Sequence, residues 1–183
     1  RLAALEETTG QLVWSLPIAM PERPMGQDPL RRLAGAMPSY ADGVLVCPTS
    51  AGAVVAVDPW SRSVLWAYEI PLAESYLGNR RIMLLAAMGA LQSPQQGIEH
   101  FSMDSTATIA DQYVLVAPVE SDHLFCMEVQ TGRLCWQRKL EDFRYVAGVA
   151  EEVVLAVGSQ SLSGWGLRTG KPAWDEWSVP LPE

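Results

Sequence analysis

The 183-residue sequence is poor in the residues that most metal and hydrolytic sites use. It has three cysteines and two histidines, too few cysteines for a fold held by disulfides. His100 and His123 have no further ligands at metal-site spacing, and a metal site normally needs three or four. Asp104 and Ser105 lie near His100, but no Gly-x-Ser-x-Gly elbow accompanies them. Neither a metal enzyme nor a hydrolase is therefore predicted.

Positive charge and long apolar runs are also scarce. Lys and Arg number 13 against 21 Asp and Glu, a formal net charge of −8. A general nucleic-acid binder needs a basic patch, so that class is not favoured. The longest apolar run is 82–91, which is half of the roughly 20 residues that span a bilayer. No signal peptide is visible, and we interpret the sequence as a piece of a longer protein.

What the sequence does contain is a six-residue pattern that occurs four times and ends in tryptophan. The clearest copy runs from Thr131 to Trp136, with Gly132 after the threonine. The tryptophans at the same position in the other copies are Trp14, Trp66 and Trp174, and the matching glycines are Gly10 and Gly170. In the second copy Arg62 stands at the glycine position. Because glycine accepts a positive φ and threonine can bond the turn backbone, the pattern predicts the turn of a β-hairpin.

In the strands that flank this turn, side chains should alternate between the two faces, and this alternation predicts a register for the hairpin. The expected cross-strand pairs are Glu128 with Arg133, Met127 with Leu134, Cys126 with Cys135, and Phe125 with Trp136. Trp136 would then share a face with Phe125 and Met127. Cys126 and Cys135 would be close enough for a disulfide, although buried free cysteines are also common. The sequence leaves both interpretations open.

The spacing of the repeats predicts an all-β fold. Trp136 and Trp174 are 38 residues apart, near the ~40–45 residues of one four-stranded propeller blade. We predict a partial β-propeller of four-stranded antiparallel blades with a short helical insertion. The expected units are a closing hairpin at 1–16, blades at 33–71, 101–140 and 145–178, and the insertion at 72–100. Four tryptophans at one repeat position predict equivalent sites at which blades dock on one another.

The insertion contains the one segment with a helical composition. Residues 79–91 lack proline and are rich in Leu, Met, Ala and Arg, which favours a helix. The apolar residues that form its candidate contact surface are Ile82, Met83, Leu84, Met88 and Leu91. This surface either packs on the propeller rim or contacts another domain or protein, since propellers often place function in such insertions.

The acidic residue, Thr-Gly and Trp at this spacing resemble the repeat of the pyrroloquinoline-quinone-type (quinoprotein-like) propellers. The matching segments run from Glu6 to Trp14, Asp58 to Trp66 and Glu128 to Trp136. The resemblance covers most of the chain outside 17–32, 72–100 and the C-terminal tail. The resemblance points to two branches of this superfamily. One branch contains quinone-dependent dehydrogenases, and the other contains non-catalytic propellers such as the outer-membrane assembly lipoprotein, which acts by protein contact.

This sequence lacks residues that the dehydrogenases use, and their absence favours the non-catalytic branch. The alcohol-type enzymes of the dehydrogenase branch carry two adjacent cysteines and hold Ca²⁺ with Glu, Asn and Asp, whereas no two cysteines are neighbours here and Asn79 is the only asparagine. The resemblance then implies a fragment of a larger chain, acting without a cofactor as a scaffold. Its partners would be the remaining blades or another protein. The alternative is a dehydrogenase fragment that uses pyrroloquinoline quinone and Ca²⁺. Both branches imply an extracytoplasmic location, in the periplasm or cell envelope.

Overall fold

The computed structural model describes residues 1–20, 36–74, 105–140, 143–174 and 178–180. The strands in these ranges are β1 Leu2–Leu5, β2 Leu12–Leu16, β3 Ser39–Ala41, β4 Val44–Pro48, β5 Ala53–Asp58, β6 Ser63–Glu69, β7 Thr108–Ala110, β8 Tyr113–Val116, β9 His123–Glu128, β10 Leu134–Lys139, β11 Tyr145–Ala150, β12 Val153–Val157, β13 Ser161–Gly166 and β14 Ser178–Pro180. No helix within the described ranges is long and apolar enough to cross a membrane. The helix predicted at 79–91 and its candidate contact surface lie outside these residues.

The strands form three four-stranded antiparallel sheets and one separate hairpin. We call β3–β6 the first sheet, β7–β10 the middle sheet, β11–β14 the last sheet and β1–β2 the N-terminal hairpin. Within each sheet, every strand pairs with the next one along the chain, as in a propeller blade. The turn between β3 and β4 has a positive φ at both Asp42 and Gly43, the backbone of a tight hairpin turn. The predicted all-β partial propeller is confirmed.

The middle sheet lies between two hydrophobic clusters, one shared with each neighbouring sheet. Phe125 and Met127 of β9 join Val54 of the first sheet in one cluster. Cys126 of β9 joins Val154 of the last sheet in the other. Because successive side chains of a strand point to opposite faces, one strand serves both clusters. This explains why β9 is apolar almost throughout instead of alternating with polar residues.

The predicted register of the third hairpin is right for its first two pairs and wrong beyond them: the Glu128 N–H donates to the Arg133 carbonyl oxygen at 3.0 Å. Met127 pairs with Leu134 as expected, but Cys126 pairs with Trp136. A β-bulge between them leaves Cys135 as the extra residue on its strand. A bulge places two residues against one and redirects the side chains beyond it. Trp136 therefore shares a face with Cys126 instead of Phe125, and points toward the last sheet.

The same irregularity occurs in the two preceding hairpins. In the N-terminal hairpin Ala4 pairs with Trp14 and the register shifts at the next residue. In the first sheet Ala56 pairs with Trp66, again beside a shift. The bulge is thus part of the repeat, and it gives these tryptophans the same direction relative to their strands.

The fourth copy of the repeat does not form a second continuous strand. A single bridge joins Trp165 to Pro172, and β13 pairs with β14. Proline lacks the backbone N–H that a ladder needs, so the strand that would end at Trp174 is interrupted near its start. The last sheet is completed instead by Ser178–Pro180.

Candidate functional site

Three of the four repeat turns have the same backbone geometry. Their glycines, Gly10, Gly132 and Gly170, have φ values of 68°, 70° and 61°. Each glycine N–H donates to the carbonyl oxygen four residues earlier, at N···O distances of 2.8, 2.9 and 2.7 Å respectively. A positive φ disfavours any residue with a Cβ, which explains glycine at this position.

The threonine before each glycine closes the same turn from the side. Its hydroxyl oxygen accepts the backbone N–H two residues further on, and the three threonines are Thr9, Thr131 and Thr169. Short polar side chains that bond their own turn in this way stabilise it locally. The Thr-Gly pair therefore specifies the turn without help from other blades.

Trp136 of the middle sheet packs on the turn of the last sheet. A Cβ added to Gly170 would lie 2.6 Å from Cδ2 of the indole. Trp136 Nε1–H donates to the Leu167 carbonyl oxygen at 2.7 Å, and the residue is 8% exposed. Arg138 on the same strand donates from Nε to the Gly170 carbonyl oxygen. Only a glycine leaves space for the ring at this distance.

Trp66 of the first sheet makes the same contact with the middle sheet. A Cβ on Gly132 would lie 2.5 Å from its Cδ2 atom, and its Nε1–H donates to the Val129 carbonyl oxygen at 2.7 Å. In both cases the accepting carbonyl belongs to the residue three positions before the covered glycine. Two successive sheets are thus joined by one repeated arrangement of ring, glycine and carbonyl.

The remaining residues of the predicted docking set do not form such pairs. Trp174 lies over Gly164 of its own sheet, where an added Cβ would be 2.8 Å from the ring. Trp14 is half-buried opposite Ala4. Gly10 is exposed, and an added Cβ there would meet nothing within 4 Å. The docking role of these three residues stays a prediction.

The cysteines are unbonded. Cys47 and Cys126 are buried thiols and Cys135 is partly exposed. Burial raises the pKa of Cys47 to about 11. Burial, with a smaller contribution from Cys135, raises the pKa of Cys126 to about 12. Because a thiolate is the reactive form, both groups are poor nucleophiles at neutral pH.

The histidine and the serine that the sequence analysis weighed for catalysis and did not favour have partners within the described ranges. His123 Nδ1 lies 2.7 Å from Asp122 Oδ1, and Lys139 Nζ lies 3.8 Å from Asp122 Oδ2. The buried Ser105 hydroxyl accepts the Val119 N–H at 3.1 Å. No three His, Cys, Asp or Glu side chains of the described ranges lie together in a way that could hold a metal ion. His100 and Asp104 lie outside those ranges.

A further contact between sheets involves Glu120, which the sequence did not single out. Glu120 is 3% exposed, and its Oε1 accepts the Gly52 N–H at 3.0 Å. Its backbone carbonyl accepts the Ala73 N–H at 2.9 Å. A carboxylate is rarely buried unless it is paired in this way. Its only sequence signal is an acidic residue in a loop, which is too common to be informative.

The repeated ring, glycine and carbonyl arrangement is consistent with the result of a family comparison. The family model described as outer membrane protein assembly factor BamB, a family of quinoprotein-like repeats, matches residues 1–92, half of the sequence. The chain belongs to this family. Membership accounts for the repeat and the propeller sheets. No curated protein sequence matches the chain.

Solved structures similar to the chain come from both branches of the quinoprotein-like propellers. BamB from Moraxella catarrhalis has a TM-score of 0.52 at 17% identity, covering 80% of this chain and 36% of its own. A europium-containing methanol dehydrogenase has a TM-score of 0.56 at 12% identity, covering 82% and 25%. Quinohemoprotein alcohol dehydrogenase from Comamonas testosteroni has a TM-score of 0.54 at 15% identity, covering 80% and 21%. Likeness at this identity shows the fold alone, and the chain spans about a third or less of each of these structures.

Proposed function

We propose that this chain is a non-catalytic propeller module that serves as a scaffold for protein contacts within a larger protein of the cell envelope. The observation that carries the proposal is its membership of a family described as an assembly factor. The periplasm or envelope is the compartment in which such assembly takes place. Blades docked by Trp66 and Trp136 would supply a rigid support for contact residues at the sheet edges.

An apolar edge on the first sheet is the surface best placed for such a contact. We call Trp60, Val64 and Leu65 the Trp60 edge; Trp60 is 82% exposed, and the other two are 45% exposed. The turn is held by Asp58, whose Oδ1 accepts the Trp60 backbone N–H at 2.8 Å. Exposed aromatic residues on a preformed turn are typical of protein interfaces. The predicted surface at 82–91 stays a second proposal.

Photo-crosslinking of the full-length protein in its own cells would test the scaffold role. A photoreactive residue at Trp60 or Leu65 should give a discrete adduct with a protein of outer-membrane assembly. Asp111 is an exposed turn residue and provides the matched control position. Adducts of the same identity and yield at Asp111, or none at the Trp60 edge, would contradict a contact there.

The alternative is a fragment of a quinone-dependent dehydrogenase, because the dehydrogenase structures resemble this chain as much as BamB does. The acidic side chains of the described ranges do not gather into a group that could hold Ca²⁺, so this alternative needs residues elsewhere in the protein. Full-length protein supplied with pyrroloquinoline quinone and Ca²⁺ should reduce no dye when given alcohols or glucose. Substrate-dependent dye reduction would favour the dehydrogenase.

A further inference from the structure

We infer that Cys126 and Cys135 are a redox site, at which a disulfide bond forms across the β-bulge of the third hairpin when the reduced protein meets an external disulfide. Both thiols are free in this structure, which is therefore that of the reduced form. The inference goes beyond the scaffold function, and its chemistry does not depend on that function. It rests on the middle sheet, whose neighbouring sheets on both sides belong to the described structure.

The β-bulge puts both cysteines on one face of the middle sheet. Leu134, before the bulge, packs on the cluster shared with the first sheet. The next two residues, Cys135 and Trp136, both lie on the cluster shared with the last sheet. Successive residues of a strand share a face where a bulge interrupts the alternation. Cys126 is a buried member of the same cluster and pairs with Trp136, so both bulge residues lie opposite it.

The two thiols are close enough to interact. Residues opposite each other in an antiparallel pair have Cα atoms about 4.5–5.5 Å apart, and disulfides span Cα distances of about 4.4–6.8 Å. The pKa of Cys126 is raised first by burial and then by Cys135, through its charge and through a hydrogen bond between the two side chains. The strands therefore already hold the two sulfur atoms within reach of each other.

Disulfide formation would break only weak hydrogen bonds. Cys126 donates from Sγ to the Leu167 carbonyl oxygen at 3.6 Å, and Cys135 donates from Sγ to the Arg133 carbonyl oxygen at 3.7 Å. Thiols are weak donors. The Leu167 carbonyl also accepts the Trp136 Nε1–H at 2.7 Å, so it keeps a strong partner after the sulfur–sulfur bond has formed. The cost of closing the bond is correspondingly small.

The different exposure of the two thiols sets the order of the reaction. Cys135 is partly exposed and Cys126 is buried, so Cys135 meets the external disulfide first. Its thiolate attacks one sulfur of that disulfide, forms a mixed disulfide and displaces the other sulfur as a thiolate. Cys126 then loses its proton, and its sulfur attacks Cys135 Sγ and releases the remaining external thiolate. The protein loses two electrons, the external disulfide gains them, and the two thiol protons pass to the released thiolates.

The bond holds the strand register that directs Trp136 toward the last sheet. It joins β9 to β10 next to the pair of Cys126 with Trp136, so neither strand can slip while the bond is intact. An oxidising compartment such as the proposed cell envelope supplies the external disulfide through thiol–disulfide oxidoreductases. That location decides whether the bond forms in cells, whereas the reaction itself can be tested on the purified protein.

Oxidised glutathione is the external disulfide that tests the inference. The full-length protein is reduced, freed of reductant and treated with oxidised glutathione, and its remaining thiols are then blocked with iodoacetamide in urea. Trypsin cleaves after Arg133, between the two cysteines, so mass spectrometry without reduction should find their peptides joined by a disulfide. Cys47 is the only cysteine of the first sheet and should carry the blocking group.

Two alanine variants separate the steps and give a matched control. Cys126→Ala keeps the entry thiol and lacks the second one, so glutathione should remain on Cys135 and accumulate about tenfold or more over the unmodified protein, in which the neighbouring thiol displaces it. Cys47→Ala also removes a buried cysteine and should form the bond like the unmodified protein.

The same measurements can overturn the inference. Absence of the joined peptides, a bond from either cysteine to Cys47, or equal glutathione adducts in Cys126→Ala and the unmodified protein would each do so. If Cys126→Ala fails to fold, as judged by circular dichroism, the joined peptides in the unmodified protein and in Cys47→Ala decide alone.

Discussion

Replacement of Trp136 by alanine should remove a large share of the stability of the protein. The side chain is 8% exposed and belongs to the cluster between the middle and last sheets. Truncation of a buried aromatic to alanine costs about 3–5 kcal/mol. The change also leaves the Leu167 carbonyl without the indole N–H that now bonds it at 2.7 Å, which favours the upper end of that range. Typical domains have only about 5–15 kcal/mol in total.

Urea unfolding followed by far-UV circular dichroism measures this loss. Trp60→Ala is the control, because Trp60 is 82% exposed and a surface change typically costs about 0.5 kcal/mol or less. Trp177 lies outside the described residues, and a similarly small cost is predicted for it. Trp136→Phe keeps an aromatic ring but loses the N–H, and should fall between the two. Equal losses for Trp136→Ala and Trp60→Ala would refute the docking role of Trp136.

Three other outcomes follow from the same geometry. In urea unfolding, Gly132→Ala should destabilise the protein by about 1–3 kcal/mol more than Gly43→Ala. Both glycines have a positive φ, but only Gly132 is covered by Trp66. Equal losses of stability in the two variants would contradict this reasoning. Cys47 and Cys126 should resist a thiol reagent at pH 7 until the protein is unfolded, whereas the partly exposed Cys135 can react. Rapid labelling of either Cys47 or Cys126 in the native protein, located by mass spectrometry of its peptides, would contradict their burial. Burial raises the pKa of Cys47 and Cys126 above the ordinary 9.0, to about 11 and 12. Their contribution to the free energy of unfolding is therefore complete below about pH 9 and is lost as the pH rises through the folded-state pKa values. Above pH 9, the variant with both cysteines replaced by alanine should lose less stability than the unmodified protein.

The turns were predictable from sequence because their determinants are local. The positive φ at Gly132 favours glycine, and the Thr131 hydroxyl accepts a backbone N–H only two residues away. The six-residue pattern occurs four times and always ends in tryptophan, and this repetition predicts the blades of a propeller. None of these inferences required knowledge of which residues meet across the fold.

The bulge could not be read from the alternation of the strand. The extra residue Cys135 is apolar, as are its counterparts Val13 and Leu65, so a regular strand with no bulge fits the pattern equally well. A shift of one residue moves every following side chain to the other face. Strict alternation therefore predicts Trp136 on the face of Phe125, whereas the bulge places it on the opposite face, with Cys126. The constant spacing from glycine to tryptophan was the one available signal, and it is compatible with both registers.

The contact partner of each docking residue also could not be predicted from the sequence. Trp66 and Gly132 are 66 positions apart, and nothing local states that the ring covers the turn of the following blade instead of its own. The buried contact of Glu120 with Gly52 has the same origin. Such pairs are fixed by the order in which the sheets stack, which is a property of the whole fold.

A double-mutant cycle on Trp136 and Gly170 tests most directly whether blades are held together by an indole on the glycine of the next turn. In the unmodified protein, Gly170→Ala should cost both the positive-φ strain of about 1–2 kcal/mol and the clash with the ring, whose Cδ2 would lie 2.6 Å from the new Cβ. In the Trp136→Ala background only the strain should remain. The predicted coupling is about 0.5–3 kcal/mol. An equal cost of Gly170→Ala in both backgrounds would contradict the account.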